Sequence, residues 1–186
     1  MSRWEPDAAG RLQRAAMELF AEHGYDRTTT AQIAERAGVT ERTFFRHFTD
    51  KREVLFDGSG TFEATVLDGV RAAGGDLGPV DVVGAAFVHL AETMFAERHA
   101  HAVARNAIIS THPDLQEREL IKMSRLGTLV TEALHERRVP EPAASLAAQS
   151  GVAVFRVSFA RWVGQDGTSL ADLLRQSLAE LKSLTR

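Results

Sequence analysis

Thr29–Thr49 reads TTAQIAERAGVTERTFFRHFT, and this stretch decides the fold. Ile33, Ala34 and Ala37 recur at helical spacing before Gly38, and Phe44 and Phe48 recur at i, i+4 after it. The tripeptide Ala37-Gly38-Val39 leaves no room for a longer loop. Gly38 supplies the left-handed backbone that a tight turn demands, Val39 plugs the angle from inside, and Ala34 is small where a second helix must cross closely. Two short helices meeting at such a turn form a helix-turn-helix, whose second helix is the one that enters a major groove.

Upstream, a first helix opens at Pro6 or Asp7 and runs to His23, where Gly24 stops it. Leu12, Ala15, Ala16, Leu19 and Phe20 form its buried stripe, the platform for the two motif helices, and Tyr25 tucks its ring beneath. Arg11 and Arg14 lie elsewhere on this helix, within reach of solvent or a DNA backbone. One of Thr28, Thr29 and Thr30 caps the next helix. A helix start also suits a phosphate, because its free N–H groups and its dipole both favour an anion. Thr40 caps the reading helix. With Phe44 and Phe48 turned inward, Glu41, Arg42, Thr43, Phe45, Arg46 and His47 face outward or sideways. Arg42 and Arg46 stand one turn apart on one side, and Arg42 is the candidate for bidentate bonding to a guanine edge. Thr43 suits a thymine methyl or a phosphate, and Glu41 either a cytosine amine or plain solvation at a helix start. Asp50 caps a further helix whose first turn holds Lys51 and Arg52; cations there oppose the helix dipole, which a phosphate opposite would explain.

The spacing of Arg11, Ala15, Ala16, Leu19, Phe20, Gly24, Tyr25, Thr29, Ile33, Ala34, Ala37, Gly38, Val39, Thr43, Phe44, Phe45, His47, Phe48, Lys51 and Leu55 resembles that of the tetracycline-repressor-like (TetR) regulators. The resemblance covers roughly the first third of the chain; beyond about Leu67 only size and helical layout match. It implies an all-α fold, with residues 1–52 as a three-helix DNA-binding domain and residues 53–186 as a helical effector-binding and dimerisation domain. It implies phosphate contacts from the threonine at the second helix start (Thr28 or Thr30), and from His47 and Lys51, which would fix the register. Thr28, Thr30, Thr40, Glu41, Arg42, Thr43, Phe45, Arg46, His47 and Lys51 are therefore the candidate DNA-binding residues. Phe45 departs from the usual tyrosine; without the phenol it cannot donate to a phosphate, which leaves packing or methyl contact.

Composition agrees with contact by one surface. The formal charge of −3 argues against coating nucleic acid indiscriminately. Thr40–Arg52, however, sets Arg42, Arg46, Lys51 and Arg52 against Glu41 and Asp50, a local +2 that leaves −5 for the remainder. A chain of 186 residues, 44% hydrophobic, buries a sizeable core. With no cysteine there is neither a disulfide framework nor a thiolate metal site. No apolar run reaches the ~20 residues of a membrane span and no secretion signal opens the chain, so a cytoplasmic protein is expected.

The remaining sequence reads as helices. The helix after Asp50 runs to Gly74-Gly75, interrupted at Gly58 and Gly60, which mark either a hinge or a close neighbour. Gly74–Pro79 is a linker. Val83, Phe87, Leu90 and Met94 form one stripe, and a long helix apolar on two sides runs from His112-Pro113 to about Arg138. Phe87, Met94, Met123, Gly127 and Phe155, with Asn106 as a polar anchor, would face a common centre. That centre is either packed core or, as the resemblance implies, a cavity for a small apolar or amphipathic effector. The last two helices carry Ala147, Gly151, Val154, Ser158 and Trp162, then Leu174, Leu178 and Leu181. This is more apolar surface than one chain is expected to cover, so a twofold partner is assigned to it. His99, His101 and His112 lack the spacing and carboxylates of a metal site, and no nucleophile–base pair or phosphate-cradling loop supports catalysis.

The reading is a ligand-responsive regulator, not an enzyme and without a cofactor. It is expected to be a homodimeric repressor of a palindromic operator. A regulator governed by a protein partner, and more remotely a helical carrier or enzyme, are the alternatives.

Overall fold

The structure, a computed structural model, describes residues 7–56 and 59–184. Helices and their connections make up these residues, with no strand among them. The chain divides into two compact units: Met1–Asp57 with Ala104–Leu115, and Gly58–Val103 with Gln116–Arg186.

The first unit is built on α1 (Ala8–His23), opened by Asp7, whose carboxylate accepts from Gly10 N–H at 2.9 Å. Pro6, the other candidate start, lies outside the described residues. α1 buries the expected Leu12, Ala15, Ala16, Leu19 and Phe20, and ends at Gly24, whose N–H donates to the Phe20 carbonyl. α2 (Thr30–Arg36) and α3 (Glu41–His47) lean on that platform through Ile33, Ala34 and Phe44. Between them the Gly38 N–H donates to Glu35 O, and Gly38 sits at φ +68°, the left-handed conformation that lets the Val39 N–H reach Ala34 O, each bond at 3.0 Å. α4 (Glu53–Phe56) buries Val54, Leu55 and Phe56 in the same core. The core is completed by Ile109 and Leu115, which come from much later in the chain.

The expected single helix after Asp50 is thus two helices. α4 belongs to the first unit, and α5 (Ser59–Ala72) to the second. Gly58 lies outside the described residues. A side chain at Gly60 would meet nothing within 4 Å, so close packing does not explain that glycine.

The second unit is organised around α6 (Pro79–Leu90), which packs against α5, α9 (Ala143–Val163) and α10 (Leu170–Leu184). Small residues let these helices approach. A Cβ at Gly69 would lie 2.9 Å from Ala86 Cα, and one at Gly151 would press on Val83 and come within 3.3 Å of Phe87. α6 continues as a π turn, Ala91–Phe95, which brings the Phe95 ring to 5.7–6.4 Å from those of Phe62, Phe155, Phe159 and Trp162. α7 (His99–Ser110) and α8 (Pro113–Glu136) each begin in one unit and end in the other. Beyond α8, the Arg137 guanidinium donates to the carbonyls of Arg71, Ala73 and Gly74 at 3.0–3.2 Å, capping the end of α5.

One expectation about the second unit needs correcting. The proposed interface residues Ala147, Gly151, Val154, Ser158, Trp162 and Leu174 are buried within one chain, and Leu178 and Leu181 are half-buried against the same core. Ser158 donates to Leu173 O, and Trp162 packs on Phe95, Phe159 and His99. The small-residue stripe of α9 faces the chain's own α6 at Gly151 and α10 at Ser158, and the exposed side of the helix is the opposite one. α9 is also long and apolar enough to pass for a membrane span, but 44% of that stretch is buried inside the unit.

Gly151→Ala should cost ~1–3 kcal/mol, because the methyl meets the branched Val83 and the Phe87 ring. Gly127→Ala meets only the flexible amide end of Gln149, and the gain in helix propensity should leave it neutral or slightly stabilising. Urea unfolding of the two variants checks the contrast.

Candidate nucleic-acid interface

The outward face of α3 follows from its burial. Phe44 (0% exposed) and Phe48 (2%) occupy one side. At 100° per residue Arg46 then lies opposite them, with Arg42 and Thr43 beside it and Phe45 and His47 on the flanks. Arg42, Phe45, Arg46 and His47 are exposed, and Phe45 retains 53% of its surface. The helix is held at its start by Thr40, whose hydroxyl accepts from Thr43 N–H at 3.2 Å and shares a 3.0 Å hydrogen bond with the Thr43 hydroxyl. Thr43 is therefore partly committed to the cap.

At the start of α2 the three threonines divide their work. Thr29 is the cap, in a reciprocal capping box with Gln32. Thr28 is buried (2% exposed), and its hydroxyl donates to Gly24 O at 2.9 Å and Leu19 O at 3.3 Å. This corrects its assignment as a DNA-binding residue: it ties the α1–α2 turn from inside and presents nothing to a phosphate. Thr30 is half-buried, and its hydroxyl donates to Glu41 Oε1 at 2.6 Å. Glu41 is thus neither a free helix-start charge nor turned wholly to a groove; it bridges the starts of α2 and α3. A hydroxyl has one proton, so Thr30 cannot donate to a phosphate while Glu41 holds it.

Lys51 is also engaged. Its ammonium donates to the Tyr25 carbonyl at 2.7 Å and lies 4.1 Å over the Tyr25 ring. Partial burial lowers its pKa, against the pull of Asp26 and Asp114. Burial pushes the Tyr25 phenol up to about 12, with the Asp114 charge adding to it, so the ring stays neutral beneath the cation. The ring is flanked by Phe20 at 5.2 Å and His112 at 4.9 Å. Asp50 caps the next turn by accepting from the N–H groups of Arg52 and Glu53, and the Arg52 guanidinium holds its carboxyl below the usual range. On the far side Arg36 clamps α2 to α1 through Glu18 and Glu22, a solvated pairing of small energetic weight. Arg11 and Arg14 line a shallow recess with Glu18 and Arg36.

Sequence reasoning missed the contribution of Ala104–Leu115. The Arg105 guanidinium donates to Leu55 O at 2.7 Å and lies 5.0 Å from the Phe56 ring. His112 Nδ1 bonds Ile108 O at 2.7 Å while Nε2 faces Asp26 at 3.6 Å. The helix-breaking His112-Pro113 pair was the one local signal that this segment does something other than extend a stripe. Of the effector candidates, Phe87 and Phe155 stack at 5.2 Å in the second unit's core, and Met94 and Met123 pack against it. Gly127 is buried beneath the Gln149 amide. Asn106 falls in the first unit, so it is removed from that set: helical phase in α7 did not reveal which core its second half joins.

Comparison with known proteins agrees with this arrangement. Residues 12–57 match the model for bacterial regulatory proteins of the tetR family, and residues 77–185 match the MftR C-terminal domain. The HTH-type transcriptional regulator TcmR of Streptomyces glaucescens is 38% identical over 77 residues, 41% of this chain and 34% of TcmR. The class A tetracycline repressor from transposon 1721 of Escherichia coli is 30% identical over 105 residues, 56% of this chain and 32% of the repressor. The matched stretch thus spans about a third of the length of these curated relatives. Thermus thermophilus FadR, a TetR-family transcriptional repressor solved with lauroyl-CoA, is 26% identical with a TM-score of 0.58, covering 94% of this chain and 93% of FadR. A protein from Pseudomonas aeruginosa PAO1 shares the fold at a TM-score of 0.65 and 17% identity, covering 98% of this chain and 93% of that one. The chain belongs to the TetR family, a family of transcriptional regulators and not of enzymes.

Glu41→Gln keeps an acceptor for Thr30 but removes a negative charge beside the reading face. It should strengthen binding to every duplex alike, by roughly two- to fivefold at low salt, and the gain should fade as ionic strength rises. Anisotropy titrations at several salt concentrations check both parts.

Proposed function

We propose that this chain is a homodimeric repressor. It grips a palindromic operator with α3 of each copy and releases it when a small apolar or amphipathic effector binds. The observation that carries the reading is the exposed face of α3, Arg46 with Arg42 beside it, set opposite the buried Phe44 and Phe48 and flanked by the exposed Phe45. Arg42 reads a guanine edge, while His47 and Lys51 hold phosphates. Lys51 can do so while bound to Tyr25 O, since an ammonium has three donors and that bond uses one. In this reading the first 52 residues are the reading domain and residues 53–186 sense and dimerise, with Ala104–Leu115 bracing the reader. A cytoplasmic location follows from the work.

Dimerisation is assigned to the exposed side of α9. Leu146 (64% exposed) and Val157 (56%) stand there with Ala153 and Ala160, an apolar strip with small residues that allow a twofold partner close. Twinned reading helices would then meet half-sites about 34–36 Å apart, or multiples of that. Effector binding is assigned to the second unit, where the rings of Phe62, Phe87 and Phe95 gather around that of Phe155. The lauroyl-CoA carried by the Thermus relative makes acyl thioesters the first compounds to try, beside flat aromatic ones.

Arg42→Ala should lose ~1–3 kcal/mol of discrimination between the preferred duplex and a scrambled one, with little change on the scrambled duplex. Equal loss on both would remove Arg42 from base reading. Val157→Arg should leave helical content unchanged while sedimentation shifts from dimer to monomer and operator affinity drops more than tenfold; a surviving dimer would place the twofold contact elsewhere. Compounds that raise the melting temperature and release the duplex identify the effector class, and intact operator binding with no stabilising compound would favour control by a protein partner.

A further inference from the structure

We infer that Phe45 sets sequence preference by reading the C5 methyl of a thymine in the major groove. This rests on the DNA-binding reading above. Phe45 is 53% exposed, although the core beside it is already filled by Phe44 and Phe48. Its ring meets the edge of Phe44 at 5.4 Å and 81°, which props the ring outward rather than folding it under. On α3 it stands on the flank of the exposed face, three residues after Arg42 and so beside it, while Arg42 and Arg46 lie one turn apart on that face. Two guanidiniums that draw this face toward phosphates and guanines carry the ring into the same groove. There the polar base edges offer an apolar ring one partner, the methyl of thymine. A phenylalanine cannot donate to a phosphate, so apolar contact is what this side chain contributes. Thr43, the one residue of α3 whose side chain carries a methyl, has its hydroxyl and backbone tied into the Thr40 cap.

The test uses the full chain and a duplex selected from a random pool, with each thymine in turn replaced by deoxyuridine, which deletes the methyl alone. One position per half-site should be sensitive. The affinity loss should be about fourfold there, the value of one buried methyl-sized group, and about fifteenfold when both half-sites are changed. Phe45→Ala should weaken binding to the thymine duplex by a similar factor and no longer distinguish thymine from uracil at that position. A flat scan overturns the inference, as does a sensitive position that survives Phe45→Ala or that disappears in Thr43→Ser instead. If the chain selects no duplex at all, the DNA-binding reading itself fails; in the other outcomes it stands without a methyl-reading Phe45.

Discussion

The turn at Ala37-Gly38-Val39 is the constraint on which the reading head depends. Two backbone hydrogen bonds, from Gly38 to Glu35 and from Val39 to Ala34, fix where α3 leaves α2. The second requires the left-handed backbone at Gly38, a conformation that costs other residues roughly 1 kcal/mol or more. With that angle set, Phe44 reaches the platform of α1 and the opposite face of α3 is left to solvent. A seven-residue helix has little stability of its own. Its orientation is therefore owed to the turn, to the Thr40 cap and to Phe44. The Thr30–Glu41 hydrogen bond adds a polar tie across the same angle.

In the second unit the organising constraint is close approach. Three helices crowd α6, and at the crossings Gly69, Gly84 and Gly151 stand where a side chain would strike Ala86, Leu178 and Val83. Close backbones leave the bulky side chains to gather elsewhere, and they do so as the aromatic group around Phe155. The π turn serves that grouping. A helix continued at 3.6 residues per turn past Leu90 would place residue 95 differently; the wider turn at Ala91–Phe95 brings its ring among four others. Thr93 accompanies this irregularity, its hydroxyl donating back to His89 O at 2.8 Å.

Most of the head was legible because its signals are local. Periodicity found the stripe of α1, a glycine found the turn, and the threonines and Asp50 found the caps. What periodicity cannot do is say which partner an apolar face meets. The stripe of Ala147, Gly151, Val154 and Ser158 reads equally well as a surface for a twin or as a seat for the chain's own helices; only the packed chain shows α6 against Gly151 and α10 against Ser158. Thr28 failed for a related reason. Three consecutive threonines before a helix look interchangeable, yet one is buried, one caps and one bridges, according to the direction each faces. The return of Ile109 and Leu115 to the head was illegible because the contact is non-local, and a short helix with an apolar stripe carries no mark of the core it joins.

That return bears on how such a chain could be switched. Ala102 belongs to the core of the second unit and Ile109, seven residues on in the same helix, to the core of the first. Leu115 and Leu126 are divided likewise along α8. Two continuous helices thus have side chains committed at both ends, about two turns apart in α7 and about three in α8. An effector of the proposed kind would act only through a difference in its affinity for two packings of the second unit; one that bound both equally would shift nothing, however tightly it bound. By linkage, DNA held by the head would then weaken the effector by the same factor by which the effector weakens DNA. The physical place to look for that coupling is the pair of helices whose residues are divided between the two cores, and not any single contact at the reading face.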